Sequence, residues 1–215
     1  MFEESLKFIN GILENVGEHL AEHVTHMGYP NGGRDAAIAE TNITLFLAHE
    51  LIDKKFSVYA EPSFTSVYTT GYDVKDTRRI DLVAATDTQS LAVEIKRRAR
   101  ASHVASDLRR LKEFQIQAAK RPNDQLQSRF SEASTSTALF VTSTFGLSKT
   151  MRSSWEGLGK PTSTQVIDTS WSEVQGLVRD YGGVAKLTRS FWGHNERFAD
   201  TTELRLAWIA FPRIA

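Results

Sequence analysis

The segment Leu91-Ala92-Val93-Glu94-Ile95-Lys96-Arg97 limits what this chain can fold into more than any other. Its apolar and β-branched texture reads as a strand, and successive side chains of a strand point to opposite faces. Glu94 and Lys96 therefore share one face while Val93 and Ile95 fill the other. The segment Ile80 to Ala85 repeats that texture, and Thr86-Asp87-Thr88-Gln89 between the two is short enough for an antiparallel hairpin. A third run of this kind begins at Phe56 (FSVYAEPSF), so three consecutive strands are predicted. They are followed by a helix from about Ser102 to Lys120, with Val104, Leu108, Leu111 and Ala118 on one face and Pro122 beyond its end.

The flanks read more simply. Leu6, Ile9, Leu13, Val16, Leu20 and Val24 recur at steps of three or four and predict an amphipathic helix ending near Gly28-Tyr29-Pro30. After the turn Asn31-Gly32-Gly33, a second helix is predicted from Arg34 to Lys54. Ser131 to Thr137 reads as a polar loop, and Ala138 to Thr142 and Gln165 to Ile167 as short buried strands. A helix carrying Trp171, Val174, Leu177 and Val178 should stop at Gly182-Gly183, and the alternation in Glu203 to Trp208 predicts an edge strand before Pro212. The expected fold is α/β: a central mixed sheet of about five strands flanked by helices. Residues 1–33 form an added N-terminal helix, 34–183 the core, and 184–215 a C-terminal extension serving as an edge strand or dimer contact.

Composition narrows the function classes. The 215 residues include no cysteine, which removes disulfides, thiolate catalysis and cysteine-bound zinc, and suits a reducing cytoplasm. With 40% hydrophobic and 24% charged residues the chain is globular rather than disordered. No apolar run approaches the ~20 residues that span a bilayer, and MFEESLKF is acidic where a signal peptide is basic, so a cytoplasmic protein with no membrane partner is expected.

If the Ile80 strand pairs with the Glu94 strand, Asp81 lies beside Glu94, and two carboxylates that close repel unless a cation sits between them. Oxygen ligands at this density suit a hard ion, Mg²⁺ or Mn²⁺. Lys96 could then orient a metal-bound water and offset charge on a phosphate.

These residues resemble the PD-(D/E)XK nuclease superfamily, the restriction-endonuclease-like fold, over about Arg34 to Asp168. Ile80-Asp81 stands where the family has its Pro-Asp, and Glu94-Ile95-Lys96 stands for its Glu-x-Lys. The resemblance implies Asp81 and Glu94 as metal ligands and Lys96 as the catalytic lysine. It further implies a helix-borne glutamate, for which Glu40 is chosen over Glu50 because it lies seven and eleven positions before Leu47 and Leu51 and so shares their inward stripe. Some members also carry a Gln and, four residues later, a Tyr on the following helix; here Gln115 is present but Ala119 stands at the partner position. Gln115 and Arg79 are kept as site-lining candidates.

Charge distribution points the same way. The 26 basic and 26 acidic residues cancel, yet from Lys96 to Arg121 nine cations oppose only Asp107 and Glu113. Arg97, Arg98, Arg100, Arg109, Arg110 and Lys112 are the expected phosphate contacts of that stripe. The first helix is acidic instead, with Glu3, Glu4, Glu14, Glu18 and Glu22.

A rival motif, His19-Leu20-Ala21-Glu22-His23, matches the inverted zinc-peptidase signature. No phosphate-binding loop, dinucleotide fingerprint or nucleophile elbow is present. Trp155, Trp171, Trp192 and Trp208 all fall in the final third, with core packing as their default role. The expected activity is Mg²⁺-dependent (or Mn²⁺-dependent) hydrolysis of DNA by a homodimer; the alternative is a nucleic-acid-binding or scaffolding protein that keeps the fold without turnover.

Overall fold

The structure, a computed structural model, describes residues 2–27, 39–61, 63–65, 77–120, 128, 130, 132–144, 149–159, 169–195 and 200–213. Five helices are described: α1 (Phe2–Met27), α2 (Glu40–Asp53), α3 (Ala101–Lys120), α4 (Lys149–Ser154) and α5 (Ser172–Asp180). The strands are β1 (Ser57–Ala60), β2 (Ser63–Thr65), β3 (Thr77–Arg79), β4 (Leu82–Ala85), β5 (Gln89–Lys96), β6 (Thr135–Ser143), β7 (Val184–Leu187), β8 (Phe191–Asn195), β9 (Asp200–Leu204) and β10 (Leu206–Pro212).

Six strands form one mixed sheet in the order β1-β4-β5-β6-β10-β7, and β2-β3 and β8-β9 make two separate ribbons. The three predicted consecutive strands are β1, β4 and β5, paired antiparallel, with the β2-β3 ribbon between the first two. Helix α3 then carries the chain across to β6, which runs parallel to β5. Such a parallel pair needs a crossover of this kind.

Alternation along the strands divides the core into two layers. Leu91, Val93 and Ile95 of β5, Leu139 and Val141 of β6 and Leu206, Trp208 and Ala210 of β10 face α1 and α2. Their neighbours Ala92, Ala138, Phe140, Ala207, Ile209 and Phe211 face α3, α4 and α5. The predicted α1 stripe is buried throughout, from Leu6 to Val24. Gly17 lets α1 approach β8: a Cβ there would stand 2.2 Å from the Phe191 ring.

Helix α5 ends as its glycines predict. Gly182 adopts φ +63°, and the amides of Gly182 and Gly183 donate to the carbonyls of Arg179 and Val178, closing a Schellman turn.

The C-terminal tail corrects the sequence reading. Its strand is not at an edge: β10 lies between β6 and β7, with Trp208 opposite Val141 on one side and Lys186 on the other. Residues 184–212 thus supply two of six sheet strands, and the edge falls to the short β7. The reason is that Val184 to Leu187 is too brief to read as a strand until β10 pairs with it. The second helix begins at Glu40 rather than at Arg34, because Ala39 is extended at its N-cap. The predicted strand Gln165–Ile167 and the glycine turn at 31–33 lie outside the described residues.

Candidate functional site

The site forms where β5 ends. Leu82 pairs with Val93, which sets Asp81, one residue earlier, beside Glu94 across the hairpin. Asp81 is pinned there because its Oδ2 accepts a 2.7 Å hydrogen bond from the Ile95 amide. Glu94 and Lys96 point to the α3 side, as alternation requires. The Lys96 Nζ lies 3.8 Å from Asp81 Oδ2, 3.8 Å from Glu94 Oε2 and 3.9 Å from Asp107 Oδ2. One ammonium therefore faces three carboxylates.

Two of those groups carry strained protonation. Glu94 is fully buried, and burial, reinforced by the charge of Asp81, pushes its pKa up to about 8 against the pull of Arg110. Burial also pushes Asp107 up, against Lys96 and Arg110.

Arg110 completes the cluster. Its Nε and Nη2 grip Glu94 at 2.7 and 2.5 Å, and Nη2 reaches Asp107 Oδ1 at 2.7 Å. A bidentate guanidinium is the strongest hydrogen-bonding partner a carboxylate has. The sequence reading placed Arg110 among the phosphate-binding cations; the structure places it inside the carboxylate cluster.

Asp107 was missed as a site residue. Its signal was there: an acid one turn from Val104 and beside Leu108 on the otherwise apolar face of α3, three residues before Arg110.

Glu40 does reach this end of the sheet. Its Oε1 accepts from the Arg97 amide at 3.0 Å, while Ser143 Oγ donates to the Arg97 carbonyl at 2.7 Å, so the backbone just after Lys96 is held from both sides. The stripe argument for choosing it does not hold, since Glu40 is exposed at the first turn of α2. Glu50, expected off the stripe, is buried against α1, where it accepts from Asn15 at 2.8 Å and faces His19 Nε2 at 3.2 Å.

The remaining candidates scatter. Arg79 is exposed and pairs with Glu61 at 3.1 Å. Arg109 pairs with Glu173 of α5, and Lys112 lies 5.6 Å over the Tyr181 ring, with burial lowering its pKa. Arg98 and Arg100 are exposed beyond the end of β5, and Arg121 lies outside the described residues. Gln115 is buried, neither of its amide atoms is hydrogen-bonded among the described residues, and it sits about 7.5 Å of helix rise past Arg110, away from the site.

The peptidase motif resolves into helix packing. His19 stacks on Phe46 and faces Glu50, while His23 meets the edge of Phe46 and bonds Asn42 at 3.3 Å. The two imidazoles share the Phe46 ring but have different polar partners in the seam between α1 and α2.

Among the described residues no group of three His, Asp or Glu side chains is placed to hold a metal ion. The carboxylate oxygens around Lys96 are the donor type that a hard divalent ion takes. Every donor is a carboxylate oxygen, and Asp107 Oδ2 is buried with no hydrogen-bond partner. Arg110 holds both Glu94 oxygens, so it would have to yield one of them.

No family model, no characterised protein and no solved structure matches this chain. No helix among the described residues is long and apolar enough to cross a membrane.

Proposed function

We propose that this chain is a Mg²⁺-dependent nuclease of the PD-(D/E)XK type that hydrolyses DNA phosphodiesters. The observation that carries the reading is Lys96 Nζ within 4 Å of three carboxylates, Asp81, Glu94 and Asp107, at one end of the sheet. The order helix, three antiparallel strands, crossover helix and parallel strand, from Glu40 to Ser143, supports a restriction-endonuclease-like core.

Asp81 and Glu94, with Oδ2 of Asp107, which accepts no hydrogen bond among the described residues, would hold Mg²⁺ or Mn²⁺. When bound, the ion lowers the pKa of water from about 15.7 and offsets charge on the phosphate. Lys96 donates hydrogen bonds that orient the attacking water toward phosphorus and stabilise the charge gathering on the phosphoryl oxygens. The new bond joins water oxygen to phosphorus and the bond to the leaving ester oxygen breaks; the attacking water gives a proton to solvent, and the leaving oxygen takes one up from solvent to depart as an alcohol. Glu40 and Ser143 fix the Arg97 backbone and with it the aim of Lys96. Two strands of a duplex need two sites, which a two-fold homodimer supplies.

Plasmid cleavage with Mg²⁺, Mn²⁺ or EDTA tests the reading. The parent should cut only with metal, and Asp81→Ala and Lys96→Ala should each lose on the order of a hundredfold or more in rate. Cleavage that survives both substitutions sinks the assignment.

One observation favours the second reading, a non-catalytic nucleic-acid-binding protein: Arg110 already occupies both Glu94 oxygens and one oxygen of Asp107 from within the chain. Binding of DNA by a parent that cuts neither DNA nor RNA in Mg²⁺ or Mn²⁺ would decide for it.

A further inference from the structure

A second charged site lies on the same end and the same face of the sheet. The pairing register runs Lys96 to Thr142, Thr142 to Ala207 and Ala207 to Leu187, across four adjacent strands. Residues paired in this way project to one face. Leu187 lines a cleft of about 420 Å³ whose other walls include Lys149 and Arg152 of α4 and Arg205 between β9 and β10. Three strand spacings separate Leu187 from Lys96, or roughly 14 Å. That span equals about four nucleotides along a duplex axis at 3.4 Å each.

The cleft's cations are prepared for a ligand to different degrees. Arg205 is anchored through its Nε to Ser190 Oγ at 2.8 Å and Glu203 Oε1 at 3.2 Å. Glu203 stays ionised because the Ser190 hydroxyl, with Arg205 and Arg152, holds it below the usual carboxylate range. Anchoring at Nε leaves the two terminal amino groups of Arg205 without a hydrogen bond among the described residues. Arg152 and Lys149 make no hydrogen bond or ion pair there either. Three cations oppose Glu156 and Glu203. A preset guanidinium fork flanked by two cations that make no hydrogen bond among the described residues matches a tetrahedral oxyanion.

We propose that this cleft is a second phosphate-binding subsite, which receives a backbone phosphate of the nucleic acid whose scissile bond lies at Lys96. The proposal rests on the nuclease reading for the identity of its ligand. It adds that the substrate runs across the strand ends from β5 toward β7, and that α4, outside the basic stripe of the sequence, grips it. Phosphate contacts of this kind fix register and carry no sequence information.

The test is binding of a fluorescent 30-base-pair duplex by the full chain in EDTA, over a range of salt, with melting curves as a folding control. Lys149→Ala/Arg152→Ala should weaken binding about tenfold or more at 0.1 M salt and reduce the slope of log affinity against log salt by about 1 to 2. The loss should be the same for unrelated sequences, and Arg152→Lys alone should keep most of the affinity. The charge-matched Lys7→Ala/Lys54→Ala, with both residues exposed elsewhere, should bind like the parent. A cleft variant with parental affinity and slope overturns the subsite, while metal-dependent cutting abolished by Asp81→Ala would leave the nuclease reading standing. Cleft-dependent binding without cleavage by the parent does the reverse, and no binding by the parent overturns both.

Discussion

At the scale of single residues, Glu94 is where folding and chemistry oppose each other. A carboxyl whose pKa rises from 4.5 to about 8 on folding prefers to be neutral inside the protein. Its contribution to stability is therefore full below about pH 4.5 and lost as pH rises through about 8. The metal-free protein should lose part of its thermal stability across that window, and Glu94→Gln should flatten the loss because an amide does not titrate. Melting curves from pH 5 to 9 read both. Since a divalent ion must displace that proton, the stabilisation given by Mg²⁺ should grow with pH and level off above about 8 in the parent and be absent in Glu94→Gln. Arg110 gives the complementary expectation. Arg110→Ala leaves Glu94 and Asp107 buried without their guanidinium, at a cost of about 3 kcal/mol in the metal-free protein. Mg²⁺ should recover part of that loss, and a chemical melt in which the metal restores nothing would remove the three-carboxylate site.

At the scale of elements, the approach of α1 to the β8-β9 ribbon makes the sharpest prediction. Gly17→Ala gains up to ~1 kcal/mol of helix propensity, yet its methyl meets the buried Phe191 ring. Overpacking should win, with a net loss of about 1–2 kcal/mol by denaturant titration. An unchanged or raised midpoint would mean that the ribbon yields easily.

The elements that could be read from the sequence are those with local, periodic causes. The stripes of α1 and α3, the β4-β5 hairpin and the glycine stop of α5 follow from spacing and turn chemistry. So do Asp81, Glu94 and Lys96 as neighbours, because hairpin register and strand parity suffice to bring them together. What escaped depends on pairings distant in sequence. The interior place of β10 is set by β6, some seventy residues earlier, and Asp107 and Arg110 meet Glu94 only once α3 folds back over β5. Glu40 came out near the site for a different reason from the one its spacing suggested: it acts through the exposed first turn of α2 and not through the buried stripe.

For the molecule as a whole, the zero net charge separates by face. The acidic α1 packs on one side of the sheet and the Lys96 site, α3 and α4 on the other. Helices on opposite faces stand about 20 Å apart, two sheet-to-helix distances of ~10 Å, which exceeds the Debye length of about 10 Å at 0.1 M salt. The acids of α1 are thus screened from a substrate at the other face. Glu14 and Glu18 face Arg189 of the C-terminal segment, so part of that acidity secures the ribbon's approach. A two-fold dimer would place two sites on antiparallel strands, and light scattering should give twice the mass of 24.1 kDa, with or without DNA. A single-chain mass in both conditions removes the dimer.

The position of β10 also bears on how the protein is made. Strand β7 precedes β10 in the chain but joins the sheet only through it. During synthesis, β7 has nowhere to dock until residues 206–212 have been added, and the row that links Lys96 to the second cleft stays open at Thr142 until Ala207 closes it. The candidate chemistry and the proposed second subsite thus mature at different times: the Asp81-Glu94-Lys96 corner can assemble from residues 40–143, whereas the cleft takes shape only after residues 206–212 have joined the sheet.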